Sequence, residues 1–279
     1  MHNKGNSVMY AHLPLNTYPD VESRANNLEQ NSYAYLPNIL SKDEVANLKH
    51  CIDEIIPRPD SNDFFGDPGD KTKSGVDSVH IKNAFNHHPS LASCIDKTQV
   101  IEIAERTMGE DCHLVGMSAW KSGPGRPDQN LHVDYRPIDL PEDIASDPRV
   151  RLPIFIATAH FYLNDITEEI GPTRMIPGSH RAGRKPNNNE TDWNGINQQS
   201  VMVNAGDVVM FRSEIWHRGS ANIGTATRYL IQVHYANRWI SSRMPPYLNK
   251  FQVAPELLDT ATPRQLRLLG NHVISGPYT

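Results

Sequence analysis

Apolar positions change period near residue 110, and the change separates a helical flank from a strand-rich body. Val45, Leu48, Ile52 and Ile55 recur at steps of three and four, which places them on one stripe of a helix. Ser41 and Glu44 precede that stripe as a capping box, in which the serine hydroxyl accepts from a first-turn amide and the glutamate reaches back to the cap. The helix is expected to end before Pro57. Tyr33–Leu36 reads as a short strand ahead of it. Leu91, Ile95, Val100, Ile103 and Ala104 suit one or two packed helices stopped at Gly109. Pro57 to Gly75 is polar and rich in turn residues, so it reads as a long loop of the kind that often carries function.

Beyond Cys112 the texture is different. The runs HLVGMSAW, NLHVDY, PIFIATAHFYL, TRMIP, SVMV, DVVMF and TRYLIQVHYANRW are β-prone and separated by Gly, Pro, Asn and Asp. Such a series of short strands predicts a sandwich or jelly roll. One helix is expected in the tail over Pro263–Leu269, with proline in its first turn and Gly270 after it. The fold class is therefore mainly β with flanking helices. We expect a single domain over 1–279, with a helical flank at 1–110, a strand core at 111–240 and an extension at 241–279.

A chain of 279 residues with 38% hydrophobic content can bury a sizeable core. A net charge of -5 gives no bulk attraction to phosphate-rich partners, so no nucleic-acid partner is expected. Cys51, Cys94 and Cys112 are odd in number and widely spaced, which favours neither a disulfide framework nor a cysteine zinc site and fits a reducing compartment. No apolar run reaches signal-peptide or membrane-span length, so the expectation is a cytoplasmic protein with no membrane partner. The final Gly276-Pro277-Tyr278-Thr279 is not a peroxisomal address.

Candidate chemistry begins at His132-Val133-Asp134. If this alternating run is a strand, both side chains share one face. Iron(II) oxygenases need two histidines and one carboxylate on one face of an octahedron, so a third ligand must come from a distant strand. With 13 histidines and 32 acidic residues in the chain, a His-x-acid match is expected by chance and decides nothing alone. The downstream segment carries more weight: Gly206-Asp207 feeds an apolar run ending near His217, and Arg228 opens the next strand.

His132-x-Asp134, Ile176-Pro177-Gly178-Ser179-His180, Gly206-Asp207, His217 and Arg228, in that order, resemble the pattern of the phytanoyl-CoA dioxygenase-like family. The likeness runs from about Gln129 to Tyr235, with weaker similarity near Ser41, over Val79–Asn83 and in the tail. It implies a double-stranded β-helix fold with His132, Asp134 and His217 holding Fe(II). It also implies that Arg228 pairs with the distal carboxylate of 2-oxoglutarate, where a guanidinium offers bidentate hydrogen bonds. Gln129 and Thr173 stand where relatives contact the co-substrate, and Lys82 or Asn83 are further candidates. The implied reaction consumes O2 and 2-oxoglutarate, releases succinate and carbon dioxide, and oxidises a small-molecule substrate. Because Asp134 fills the position that halogenases of this broad family leave as Gly or Ala, hydroxylation, desaturation or epoxidation is implied. A natural-product intermediate is the substrate class suggested by the likeness to quinolone-alkaloid enzymes. Two alternatives stay open: a non-catalytic metal-binding jelly roll, and a cupin-like metalloenzyme that does not use 2-oxoglutarate.

Other polar and aromatic residues have plainer readings. His160 is read as a hydrogen-bonded interior histidine and His180 as part of a structural turn, while His234 suits packing and the site equally well. Trp120, Tyr135 and Trp216 lie beside the motifs and could line a pocket or simply pack. His87-His88 and the GDPGDK loop have no assigned partner.

Overall fold

The computed structural model describes residues 10–55, 78–241 and 251–270. The long loop expected over Pro57–Gly75, with its GDPGDK stretch, and the final four residues lie outside them. Twelve strands follow in chain order: β1 (Ala11–His12), β2 (Tyr33–Leu36), β3 (Ser78–Lys82), β4 (His113–Ser122), β5 (Ile156–Tyr162), β6 (Thr173–Met175), β7 (Asp192–Trp193), β8 (Ile196–Asn197), β9 (Gln199–Ser200), β10 (Val208–Arg212), β11 (His217–Gly219) and β12 (Arg228–Ala236). A six-stranded antiparallel sheet has the order β2-β10-β5-β12-β4-β3, and a four-stranded sheet the order β1-β9-β6-β11. Together they form the jelly roll, with β7 and β8 as a separate hairpin.

Alternation along the long strands divides the interior into two parts. Ile231, Val233 and Tyr235 of β12 join Ala157, Ala159 and Phe161 of β5 in a core shared with the helices. The opposite face of the same strands carries Arg228, Leu230, Gln232 and His234 into the space between the sheets. A bulge between His234 and Tyr235 shifts the register against β4, and Gly116 leaves room there for the His234 ring.

The capped helix is Lys42–Glu54, with Val45, Leu48, Cys51 and Ile52 buried. Both halves of the box are formed: Glu44 N–H donates to Ser41 Oγ at 3.2 Å, and Ser41 N–H donates to Glu44 Oε2 at 2.8 Å. The apolar stretch before Gly109 makes two helices, Pro89–Ala92 and Thr98–Met108, and Gly109 stops the second at φ +103°. A tail helix spans Pro263–Leu268. Helix Val21–Asn31 had no readable apolar stripe, since it buries only Ala25, Asn27 and Leu28. Asp20 caps it by accepting from Ser23 N–H at 2.7 Å.

Two expected strands are corrected. NLHVDY is not a strand: His132 makes a single antiparallel bridge to His217, and Asp134 N–H donates separately to Ser213 O at 3.1 Å. The chain opposite turns between Ser213 and Trp216, so no continuous partner exists for a ladder. SVMV is strand only at its first residue, within β9, although Val201 N–H still donates to Thr173 O at 2.9 Å and Val203 O accepts from Ile166 N–H at 2.8 Å. His217 does not trail the strand before it but opens β11, which pairs with β6.

The motif glycines serve the frame around the site. Gly206, at φ +98°, brings its turn so close to Leu40 O that a Cβ would stand 2.4 Å from it. Asp207 then accepts from Asn38 N–H, Asn204 N–H and Tyr35 O–H, tying β2 to β10. Ser179 accepts from Trp216 N–H at 2.8 Å, and His180 Nδ1 lies 2.5 Å from Ser32 Oγ. The Pro-Gly-Ser-His turn is thus a clamp on the segment entering His217.

Candidate active site

His132, Asp134 and His217 converge although they belong to a loop bridge and a short strand. Each offers one donor atom, and the three lie within 4.8 Å of one another. Asp134 Oδ1 stands 3.7 Å from His132 Nε2 and 3.5 Å from His217 Nε2. Neighbouring donors on one metal with bonds of about 2.1 Å are roughly 3 Å apart, so a small contraction would close the set. The imidazole tautomers already suit a metal. His132 Nδ1 lies 2.7 Å from Asn130 O, and His217 Nδ1 lies 3.0 Å from Ile215 O. A carbonyl can only accept, so each Nδ1 carries a proton and each Nε2 is the atom turned towards Asp134 and the metal position.

Charge in the triad follows burial and contact. Burial raises the Asp134 carboxyl, but His217, His234 and His132 together hold it well below the usual carboxylate range. Burial lowers His217, yet Asp134 more than offsets this and leaves it raised. His132 is lowered, first by burial and then by His217. One carboxylate and two imidazoles are the composition that an iron(II) oxygenase site requires, and a bound metal would take the place of the proton that Asp134 favours on His217.

Arg228 begins β12 and is buried. Its Nη1–H donates to Gly171 O, and its Nε is buried without a partner. Burial and then Arg126 lower the guanidinium to about 10, so it stays charged at neutral pH. A buried cation with an unused donor, in one cavity with the triad, fits the distal carboxylate of a 2-oxo diacid. Gln129 Oε1 accepts from Gly219 N–H at 2.9 Å. Tyr162 O–H donates to Thr173 Oγ1 at 3.2 Å, which leaves the threonine hydroxyl free to donate in turn.

The cavity holds about 250 Å³ and is lined by the triad, Arg228, Gln129 and Thr173, so all six residues singled out from the sequence meet in one place. Lys82 also lines it, whereas Asn83 faces a smaller neighbouring cavity. His234 faces the cavity, with Nδ1 2.9 Å from Thr158 Oγ1. Trp216 is buried behind the site with Nε1–H on Arg184 O, and Tyr135 packs against Val115 and Ile156.

On the opposite wall Trp120 lines the pocket and His160 is hydrogen-bonded, as the sequence allowed, while His80 and Gln232 carried no motif. His80 and Trp120 stack at 3.6 Å between centroids and 9° between planes, and His80 Nε2 lies 2.9 Å from Ser118 Oγ. Trp120 Nε1–H donates to Gln232 Oε1 at 2.7 Å, and Gln232 Nε2 lies 2.8 Å from His160 Nε2. Indole can only donate, so the Gln232 amide presents its NH2 to His160, which accepts as a neutral imidazole. Burial independently holds His160 well below the usual histidine range. Gln232 and His234 share the parity of Arg228 on β12, a signal that alternation carried. Arg126, a further lining residue, had no such signal.

A jelly roll holding two histidines and one aspartate beside a buried arginine defines the class of Fe(II)/2-oxoglutarate-dependent dioxygenases. The chain belongs to the phytanoyl-CoA dioxygenase (PhyH) family, whose model matches residues 28–229. It is similar to dioxygenase trt7 of Aspergillus terreus, at 23% identity over 87% of this chain and 81% of that protein. Fe(II)/2-oxoglutarate-dependent dioxygenase nvfF of Aspergillus novofumigatus is 30% identical over 61% of this chain, a stretch spanning 53% of that relative. Among solved structures, HygX from Streptomyces hygroscopicus with nickel, 2-oxoglutarate and hygromycin B bound shares the fold. Its TM-score is 0.60 at 15% identity, over 79% of this chain and 88% of HygX.

Proposed function

We propose that this chain oxidises a small-molecule natural-product intermediate by hydroxylation, desaturation or epoxidation, with His132, Asp134 and His217 holding Fe(II). Arg228 pairs with the distal carboxylate of 2-oxoglutarate, and Gln129 and Thr173 line its place. The bound metal and co-substrate supply the oxidising power from O2, leaving succinate and carbon dioxide. The chain's own residues orient those groups and keep the donor atoms in register. His80, Trp120 and Gln232 face the remaining space and orient the substrate.

The observation that carries this reading is Arg228: a buried guanidinium with an unused Nε donor, in the same cavity as the triad. Hygromycin B in HygX supports a small-molecule substrate. The three cysteines are buried and free, which supports a reducing, cytoplasmic setting. No helix among the described residues is long and apolar enough to cross a membrane. Anaerobic addition of Fe(II) and 2-oxoglutarate should produce a visible charge-transfer absorption that is lost in Arg228→Ala. A wild-type protein that shows neither that band nor succinate release with any small-molecule substrate would refute the reading.

A further inference from the structure

We infer that Arg126 is a second arginine for the distal carboxylate of 2-oxoglutarate, acting beside Arg228 and kept in place by Gly219; the inference rests on the function proposed above. Arg126 lines the same cavity as Arg228. Its backbone is fixed relative to Arg228 by one residue. Asn222 N–H donates to Arg126 O at 2.9 Å, and Asn222 Nδ2 donates to Ser122 O at 3.0 Å. Ser122 is the cross-strand partner of Arg228 on β4. Gly125 N–H donates back to Asn222 O at 2.7 Å, so the loop carrying Arg126 is tied from both sides.

The side chain is placed by Gly219. Arg126 Nη1 lies 3.5 Å from Gly219 O, and a Cβ at 219 would stand 2.9 Å from both Arg126 Nη1 and Gln129 Oε1. A side chain at 219 would therefore move the ends of Arg126 and Gln129 from these positions. Gly219 also pairs with Thr173 in the β6–β11 ladder. Gly219 therefore ties Arg126, Gln129 and Thr173 together in the cavity that Arg228 also lines. Arg126 is also close enough to Arg228 to depress its ionisation. Two neighbouring guanidiniums repel each other, and a carboxylate bound between them replaces that repulsion with attraction. With Nη1 on Gly171 O, Arg228 has Nε and Nη2 for one edge of a carboxylate, and the acceptor sites outside that edge are left for a second donor.

Anaerobic titration of the Fe(II) protein, read by the charge-transfer band, tests this without turnover. The ligands are 2-oxoglutarate and 2-oxobutyrate, which keeps the keto-acid end and lacks the distal carboxylate. Arg126→Gln should weaken 2-oxoglutarate about tenfold or more, as for loss of a hydrogen bond to a charged group, and leave 2-oxobutyrate within about twofold. Arg126→Lys, which keeps the charge without the fork, should fall between wild type and Arg126→Gln. Equal weakening of both ligands would reduce Arg126 to a structural role and overturn the inference. Unchanged 2-oxoglutarate affinity in folded Arg126→Gln and Arg126→Lys would overturn it as well. A wild-type protein with no band at all would instead overturn the proposed function, and the inference with it.

Discussion

His132 and His217 face each other on antiparallel backbone, each amide donating to the other's carbonyl at 2.9 Å, with ring centroids 4.5 Å apart. Main-chain geometry thus sets the two imidazoles before any metal arrives. Both rings are then turned by the same local device, an Nδ1 proton given to the carbonyl two residues back. Asp134 completes the set from the loop side, anchored through its own N–H on Ser213 O.

Asp134→Asn keeps the shape and removes the negative charge. Metal affinity should fall by more than the roughly 10–100-fold seen when only an outer partner of a ligand is lost. Calorimetric titration of the apo-protein with Mn(II) checks this. Affinity equal to wild type would remove Asp134 from the ligand set.

Gly171 supplies the carbonyl that holds Arg228, at φ +84°, with a Cβ there predicted to stand 2.6 Å from Ser220 O and 2.7 Å from Ala221 O. Gly171→Ala should destabilise the protein by about 1–3 kcal/mol through backbone strain. It should also weaken 2-oxoglutarate binding, because the guanidinium loses its anchor. Urea unfolding and the spectroscopic titration measure the two effects separately.

Phe211 packs its ring against His160 at 4.6 Å and His217 at 5.0 Å, and is fully buried. Phe211→Ala should cost about 3–5 kcal/mol of stability. Phe211→Leu fills more of that space and should fold, yet leave the His217 ring less constrained. Metal affinity of Phe211→Leu should then drop about tenfold while its melting temperature falls only modestly.

His180 is buried in the turn behind the site, and burial, with Arg212 and Arg181, lowers it to about 2. The unfolded chain takes up a proton near pH 6.5 that the folded chain refuses. Stability is therefore full above about pH 6.5 and falls with acidification toward pH 2, by about 1.4 kcal/mol per pH unit for this group. His80, His160 and His234 are also lowered by burial and add to the same slope. His180→Asn should make the dependence between pH 6.5 and pH 5 shallower by one proton's worth in urea unfolding. An unchanged slope would place the protonation elsewhere.

Local rules carried much of this protein's form. The Ser41–Glu44 box, the stripe from Val45 to Ile52 and the stop at Gly109 depend on neighbours within a few residues, so periodicity and capping reveal them. The run of β4, β5, β10 and β12 was legible for the same reason, since strands buried on both faces are long and apolar. Resemblance to the family's motif order also placed His132, Asp134, His217, Arg228, Gln129 and Thr173 on one list. Tertiary structure decided how they meet. NLHVDY needs no strand geometry, because a single bridge to His217 positions it, and a bridge between segments distant in sequence leaves no periodic trace. The stacked His80 and Trp120, the Trp120–Gln232–His160 chain and Arg126 beside Gly219 likewise depend on strand register and loop placement. Those are settled by which apolar faces pack together, a non-local condition that no window of the sequence contains.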